Sequence, residues 1–150
     1  MQGFGEPPAY TTRAVLVAAL LCMLGGLANT FVSVLDMGRA FVPGVLSVAL
    51  AFGLFLFGLV LLIRFVEARD AMSDPLPRLR QYDRHEGAAY LIGLGATLLT
   101  SMVAASWSAA PGPAAWHFLP AAITAAAALV FLGLWLRATK TTRELPGQLP

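Results

Sequence analysis

Residues 87–136 read GAAYLIGLGATLLTSMVAASWSAAPGPAAWHFLPAAITAAAALVFLGLWL, a 50-residue run without a single Asp, Glu, Lys or Arg. As one helix it would extend about 75 Å, more than twice the roughly 30 Å hydrocarbon core of a bilayer. A break is written near its middle. Pro111-Gly112-Pro113 removes backbone donors and fixes φ at two of three positions, which favours a tight turn over a continuous helix. The run therefore divides into two crossings, 87–108 and 114–136.

The same reading extends toward the N-terminus. Ala14 to Leu35 and Ala40 to Ile63 are also free of charge, and they predict spans at 14–35 and 43–66. Backbone groups in lipid must be satisfied within their own segment, so spans of this length are helices, barrel strands being about half as long. The first span has Arg13 as its sole preceding cation and lacks a small-residue cleavage pattern, so it reads as a retained helix and not as a secretory leader. The expected fold is all-α: a polytopic membrane protein with four transmembrane helices in an up-down bundle. The whole chain, 1–150, forms a single four-helix transmembrane domain with a loop at 67–86.

Composition agrees. The chain is 58% hydrophobic and 12% charged, with a mean hydropathy of +0.74, values that exclude an ordinary soluble domain. One cysteine, Cys22, cannot form an internal disulfide, and no Cys/His spacing suits zinc or haem attachment. No cofactor is expected.

Cations are distributed unequally. Arg13, then Arg64, Arg69, Arg78, Arg80 and Arg84, then Arg137, Lys140 and Arg143 fall on one side of the four spans, and Arg39 alone on the other. The positive-inside rule then places both termini and the 67–86 loop in the cytoplasm. Trp107 and Trp116 flank the outer turn, while Tyr90, Phe65 and Trp135 are expected near the inner interface. The net charge of +2 thus reflects topology, and nucleic acid is not an expected partner.

Small residues at every fourth position mark close helix contact in lipid. Span one carries Ala14, Ala18, Cys22, Gly26 and Thr30; span three carries Ala89, Gly93, Thr97, Ser101 and Ala105. The packing stripes expected from these are Ala18, Cys22 and Gly26 on span one and Gly93 and Thr97 on span three. Span three, rich in Ser and Thr, is expected at the bundle centre. Span two, rich in Phe and Leu, is expected to face lipid or a partner. The two halves share one topology, but no residue-level repeat relates them.

Candidate chemistry is sparse. His85 falls in the cytoplasmic loop and His117 near the outer turn, so topology keeps them from sharing a metal or haem. Asp36 and Arg39, three apart in the first outer turn, read as a local ion pair or a helix end. Asp74 followed by Pro75 resembles a helix start, with Leu76, Leu79 and Tyr82 as an apolar edge. Asp70, Asp74, Asp83, His85 and Glu86 are interleaved with arginines and read as a solvated face.

Asn29 is the strongly polar side chain at membrane depth. Counting the same depth on neighbouring spans gives a candidate buried cluster of Asn29, Ser47, Ser101, Ser106 and the Trp116 carbonyl that Pro120 would leave free. No titratable carboxylate, amine or imidazole is expected inside the spans, which argues against proton-coupled transport. The function expected is that of a small integral membrane protein without its own catalytic site. It would serve as an accessory, assembly or scaffolding subunit in a prokaryotic plasma (inner) membrane. Its partners would be the lipid bilayer and other membrane subunits or copies of itself. The alternatives are a homo-oligomeric channel or transporter for a neutral or lipid-like solute, and a small membrane enzyme using the loop carboxylates and His85.

Overall fold

The computed structural model describes residues 13–36, 41–71, 83–108 and 118–143. They form four helices: α1 (Arg13–Asp36), α2 (Phe41–Ala71), α3 (Asp83–Ser108) and α4 (Phe118–Arg143). Each contains a stretch long and apolar enough to cross a membrane, with mean hydropathy from 1.7 in α3 to 2.8 in α2. Twenty-three residues of α1 rise about 34 Å, a full crossing.

Three helices run past the expected bounds, α3 opening at Asp83 instead of residue 87. α2 continues to Ala71 instead of stopping near residue 66, and α4 continues to Arg143 instead of 136. The α2 extension is held on both sides: Phe65 and Ala68 stay buried, while Arg64, Glu67, Arg69 and Asp70 reach solvent. Arg64 and Glu67 pair at 3.4 Å one turn apart. α2 also starts two residues early, with Pro43 in its first turn, where a missing N–H costs nothing. Residues 114–117, expected to open span four, and the Asp74-Pro75, Leu76, Leu79 and Tyr82 features lie outside the described residues.

Buried positions reveal the packing. On α2 they are Gly44, Ser47, Ala51, Leu54, Gly58, Leu61, Phe65 and Ala68, an unbroken alternation of three and four. On α3 they are Tyr90, Gly93, Thr97, Thr100 and Ala104, the same alternation. A seam this narrow serves about one neighbour. α1 is wider, burying Val15, Ala18, Ala19, Cys22, Gly25, Gly26, Asn29 and Ser33. Accordingly α1 packs most extensively on α2 and also against α4, α3 packs on α4, and α2 meets α3 only thinly.

This corrects the expected centre. α1, with 39% of its apolar window buried, is the interior helix, whereas α3 has 28% buried. The Ser and Thr content of α3 does not require protein on all sides, because most of those hydroxyls bond within their own helix, as described below. Tyr90 and Phe65 are buried against neighbouring helices. Phe131 fills the middle: it is fully buried, its ring lies 5.9 Å from that of Phe57 on α2, and it rests over Gly93 of α3.

Candidate functional site

Two interhelical polar contacts lie toward the ends where α1 runs on to α2 and α3 to α4. On α1, Asn29 and Ser33 are one turn apart and so share a face, and both are buried. That face meets Ser47 of α2, which is fully buried. Asn29 Nδ2 donates to Ser47 Oγ at 3.3 Å, and the Ser33 and Ser47 hydroxyls bond at 2.8 Å. Ser33 was missed in reading the sequence. Its signal was present, since a polar residue four positions from Asn29 lies on the same helical stripe.

The other proposed members go elsewhere. Ser101 donates to the Ala121 carbonyl at 3.1 Å, a contact between α3 and α4. Ser106 is exposed and donates to the Val103 carbonyl of its own helix. Trp116 lies outside the described residues. Pro120 is buried in the first turn of α4, and its carbonyl accepts from Thr124 Oγ1 at 2.8 Å. Two separate polar contacts therefore replace the single expected cluster, one within each hairpin. The physical reason is the pairing of the helices: α1 with α2 and α3 with α4.

The threonines look inward to their own backbones. Thr30 donates to Gly26, Thr97 to Gly93 and Leu94, Thr100 to Ala96, and Thr124 to Pro120 and Ala121. A hydroxyl bonded back to the i−3 or i−4 carbonyl can be buried in lipid without leaving an unmet donor. Among the described residues no buried side-chain nitrogen or oxygen lacks a partner. On the face of α3 that suggested a polar lining, Thr97 and Thr100 have donated their protons locally and Ser101 has donated its own to α4.

Close approach is concentrated at glycines. A Cβ on Gly26 would stand 2.6 Å from the Ala51 carbonyl oxygen and 3.0 Å from Phe55, both on α2. One on Gly58 would stand 2.8 Å from the Ala19 carbonyl oxygen and 2.9 Å from Cys22. α1 and α2 thus touch backbone to backbone through reciprocal glycines, the geometry by which lipid-immersed helices gain dispersion contact. Ala18, Cys22, Gly26, Gly93 and Thr97 are all buried; Cys22 and Gly26 meet α2, and Gly93 meets Phe131 of α4.

Groups able to do chemistry are few. Cys22 is a buried free thiol. No group of three His, Cys, Asp or Glu is arranged to hold a metal among the described residues. The His85 and Glu86 side chains, with Asp74, Met37 to Ala40 and residues 109–117, His117 among them, are outside the described set. Among the described residues the buried polar side chains are Asn29, Ser33, Ser47, Thr97, Thr100 and Thr124, none of which titrates near neutral pH.

Fold and contacts together define an integral membrane protein of the four-helix bundle type. No protein-family model, curated protein or solved structure matches the chain.

Proposed function

We propose that this protein acts as an accessory, assembly or scaffolding subunit of a larger membrane complex, working through helix faces and without a catalytic site of its own. The observation that carries this reading is the state of the interior polar groups: each buried hydroxyl or amide described is occupied in holding helices or its own backbone. Such an interior is suited to shape and contact and poorly suited to proton transfer or ion coordination. The termini and the segment that joins α2 to α3 face the cytoplasm in this reading, supported by nine Lys and Arg on that side against Arg39 on the other. The membrane is a prokaryotic plasma membrane, a reading supported by small size and Ala/Gly richness.

Extraction in mild detergent followed by mass measurement of the intact particle tests the proposal. Stoichiometric association with other membrane chains is the expected result. A lone chain that by itself passes a neutral solute across liposomes overturns it in favour of a channel or transporter.

A further inference from the structure

The contacts inside each hairpin differ in kind from those between the hairpins. Inside the first, α1 and α2 meet through backbone at Gly26 and Gly58 and through the hydrogen bonds of Ser47 with Asn29 and Ser33. Inside the second, Ser101 of α3 donates to the Ala121 carbonyl of α4, and Gly93 lies under the Phe131 ring. Between the hairpins, side chains make the close approaches. The atoms nearest the Cβ position of Gly25 on α1 are the Cγ2 methyls of Thr124 and Ile123 on α4, at 2.8 and 3.4 Å. Phe57 of α2 leans on Phe131 of α4 at 5.9 Å, the ring planes 52° apart. α1 packs along α4, whereas α2 and α3 barely meet.

The cost of parting each seam follows from these contacts. Separating α1 from α2 takes the Asn29 amide from its Ser47 partner in an apolar medium, where an unmet donor is heavily penalised. Separating α2 from α3 leaves the hydroxyls on the buried face of α3 paired, because Thr97 and Thr100 donate to their own helix and Ser101 donates to α4. Nor does a hydrophobic force hold this seam shut. Lipid hydrocarbon takes the place of the departing helix, so dispersion contact is what is lost, and α2 and α3 share little of it.

We propose that the two hairpins move as units about the α1/α4 contact and open the bundle laterally to the bilayer between α2 and α3, with the Phe57 and Phe131 rings as the latch. Phe131 travels with α3, since Gly93 seats its ring, and leaves Phe57 behind on α2. Opening presents to hydrocarbon a ring that is fully buried when the bundle is closed. α1 provides the axis because it alone packs extensively on a helix of each hairpin, α2 in its own and α4 in the other. This device depends on the packing of the membrane fold and not on the accessory role.

Pulsed electron resonance distances between paired spin labels on the full chain in lipid nanodiscs test it, in a Cys22→Ala background that removes the sole native thiol. The labelled positions are all exposed: Val60→Cys with Ile92→Cys spans α2 and α3, Leu24→Cys with Leu56→Cys spans α1 and α2, Leu98→Cys with Leu129→Cys spans α3 and α4, and Leu24→Cys with Leu129→Cys spans α1 and α4. The α2/α3 pair is expected to show a second population longer by about 5 Å, half an ordinary helix spacing. The other three pairs keep one population. Phe57→Ala is expected to raise the ratio of long to short roughly threefold, the scale of an aromatic pair. Phe57→Leu, which keeps bulk without the ring, takes its place if the within-hairpin distances show that Phe57→Ala has lost the fold. The proposal is overturned if the α2/α3 pair shows one population, if any other pair splits as far, or if the ratio is unmoved in a folded Phe57 variant.

Discussion

Gly25 and Gly26 are consecutive in the chain yet serve different helices: a Cβ on Gly26 would strike the Ala51 carbonyl of α2 at 2.6 Å, and one on Gly25 would strike Thr124 Cγ2 of α4 at 2.8 Å. Adjacent helical residues are separated by about 100° around the axis, so a glycine pair lets one helix be approached closely from two directions. This is how α1 becomes the interior member of the bundle.

Gly26→Ala should therefore destabilise more than Gly25→Ala. The Gly26 methyl meets backbone, which cannot rotate aside, while the Gly25 methyl meets mainly the Thr124 side chain. A loss of about 1–3 kcal/mol is expected for Gly26→Ala, in the range for overpacking. Gly95→Ala, with nothing within 4 Å of its Cβ position, should be neutral or slightly stabilising. Thermal unfolding in detergent ranks the three.

Cys22 offers an independent reading of the same contact. It is fully buried beside Gly58. A maleimide probe should label it slowly in the wild type and faster in Gly58→Leu, whose side chain forces α1 and α2 apart. Equal labelling rates would mean that this contact does not hold the hairpin closed.

Asn29→Leu should lower the melting point. Substitution removes a donor from Ser47 Oγ and leaves the Ser33 and Ser47 pair packed against an apolar side chain. Interhelical hydrogen bonds in membranes contribute about 0.6–2 kcal/mol, which sets the expected loss. An unchanged or raised melting point would show that the contact contributes nothing net.

Thr97→Val and Thr100→Val should be nearly silent, within about 0.5 kcal/mol of wild type. Their hydroxyls bond carbonyls of their own helix, and removing such a bond leaves no interhelical partner stranded. A loss of several kcal/mol in unfolding measurements would mean that α3 uses these hydroxyls between helices.

Phe131→Ala should be the most damaging single change, about 3–5 kcal/mol, because it empties the site shared with Phe57 and Gly93. Gly93→Ala puts a methyl 2.7 Å from the Phe131 ring, so it should cost less in a Phe131→Leu background than alone. A coupling energy of about 0.5–3 kcal/mol in the double-mutant cycle is expected, and additive effects would place the two residues apart.

Lipid immersion and the number of crossings were legible in the chain because a charge at the bilayer centre is expensive, so uncharged runs of 20 or more residues announce themselves, as Ala14 to Leu35 does. The Asn29 to Ser47 contact could be anticipated by counting depth along facing helices. Which helix occupies the interior could not be read from polarity. α3 looked central because it holds Thr97, Thr100 and Ser101, yet the two threonines bond within the helix, a use that hydropathy does not register. Ser33 and the division of Gly25 from Gly26 emerged only from packing. In lipid every apolar face is equally well solvated, so hydropathy cannot choose between them. Close backbone approach and local hydrogen-bond satisfaction make that choice, and both exist only once the helices are assembled.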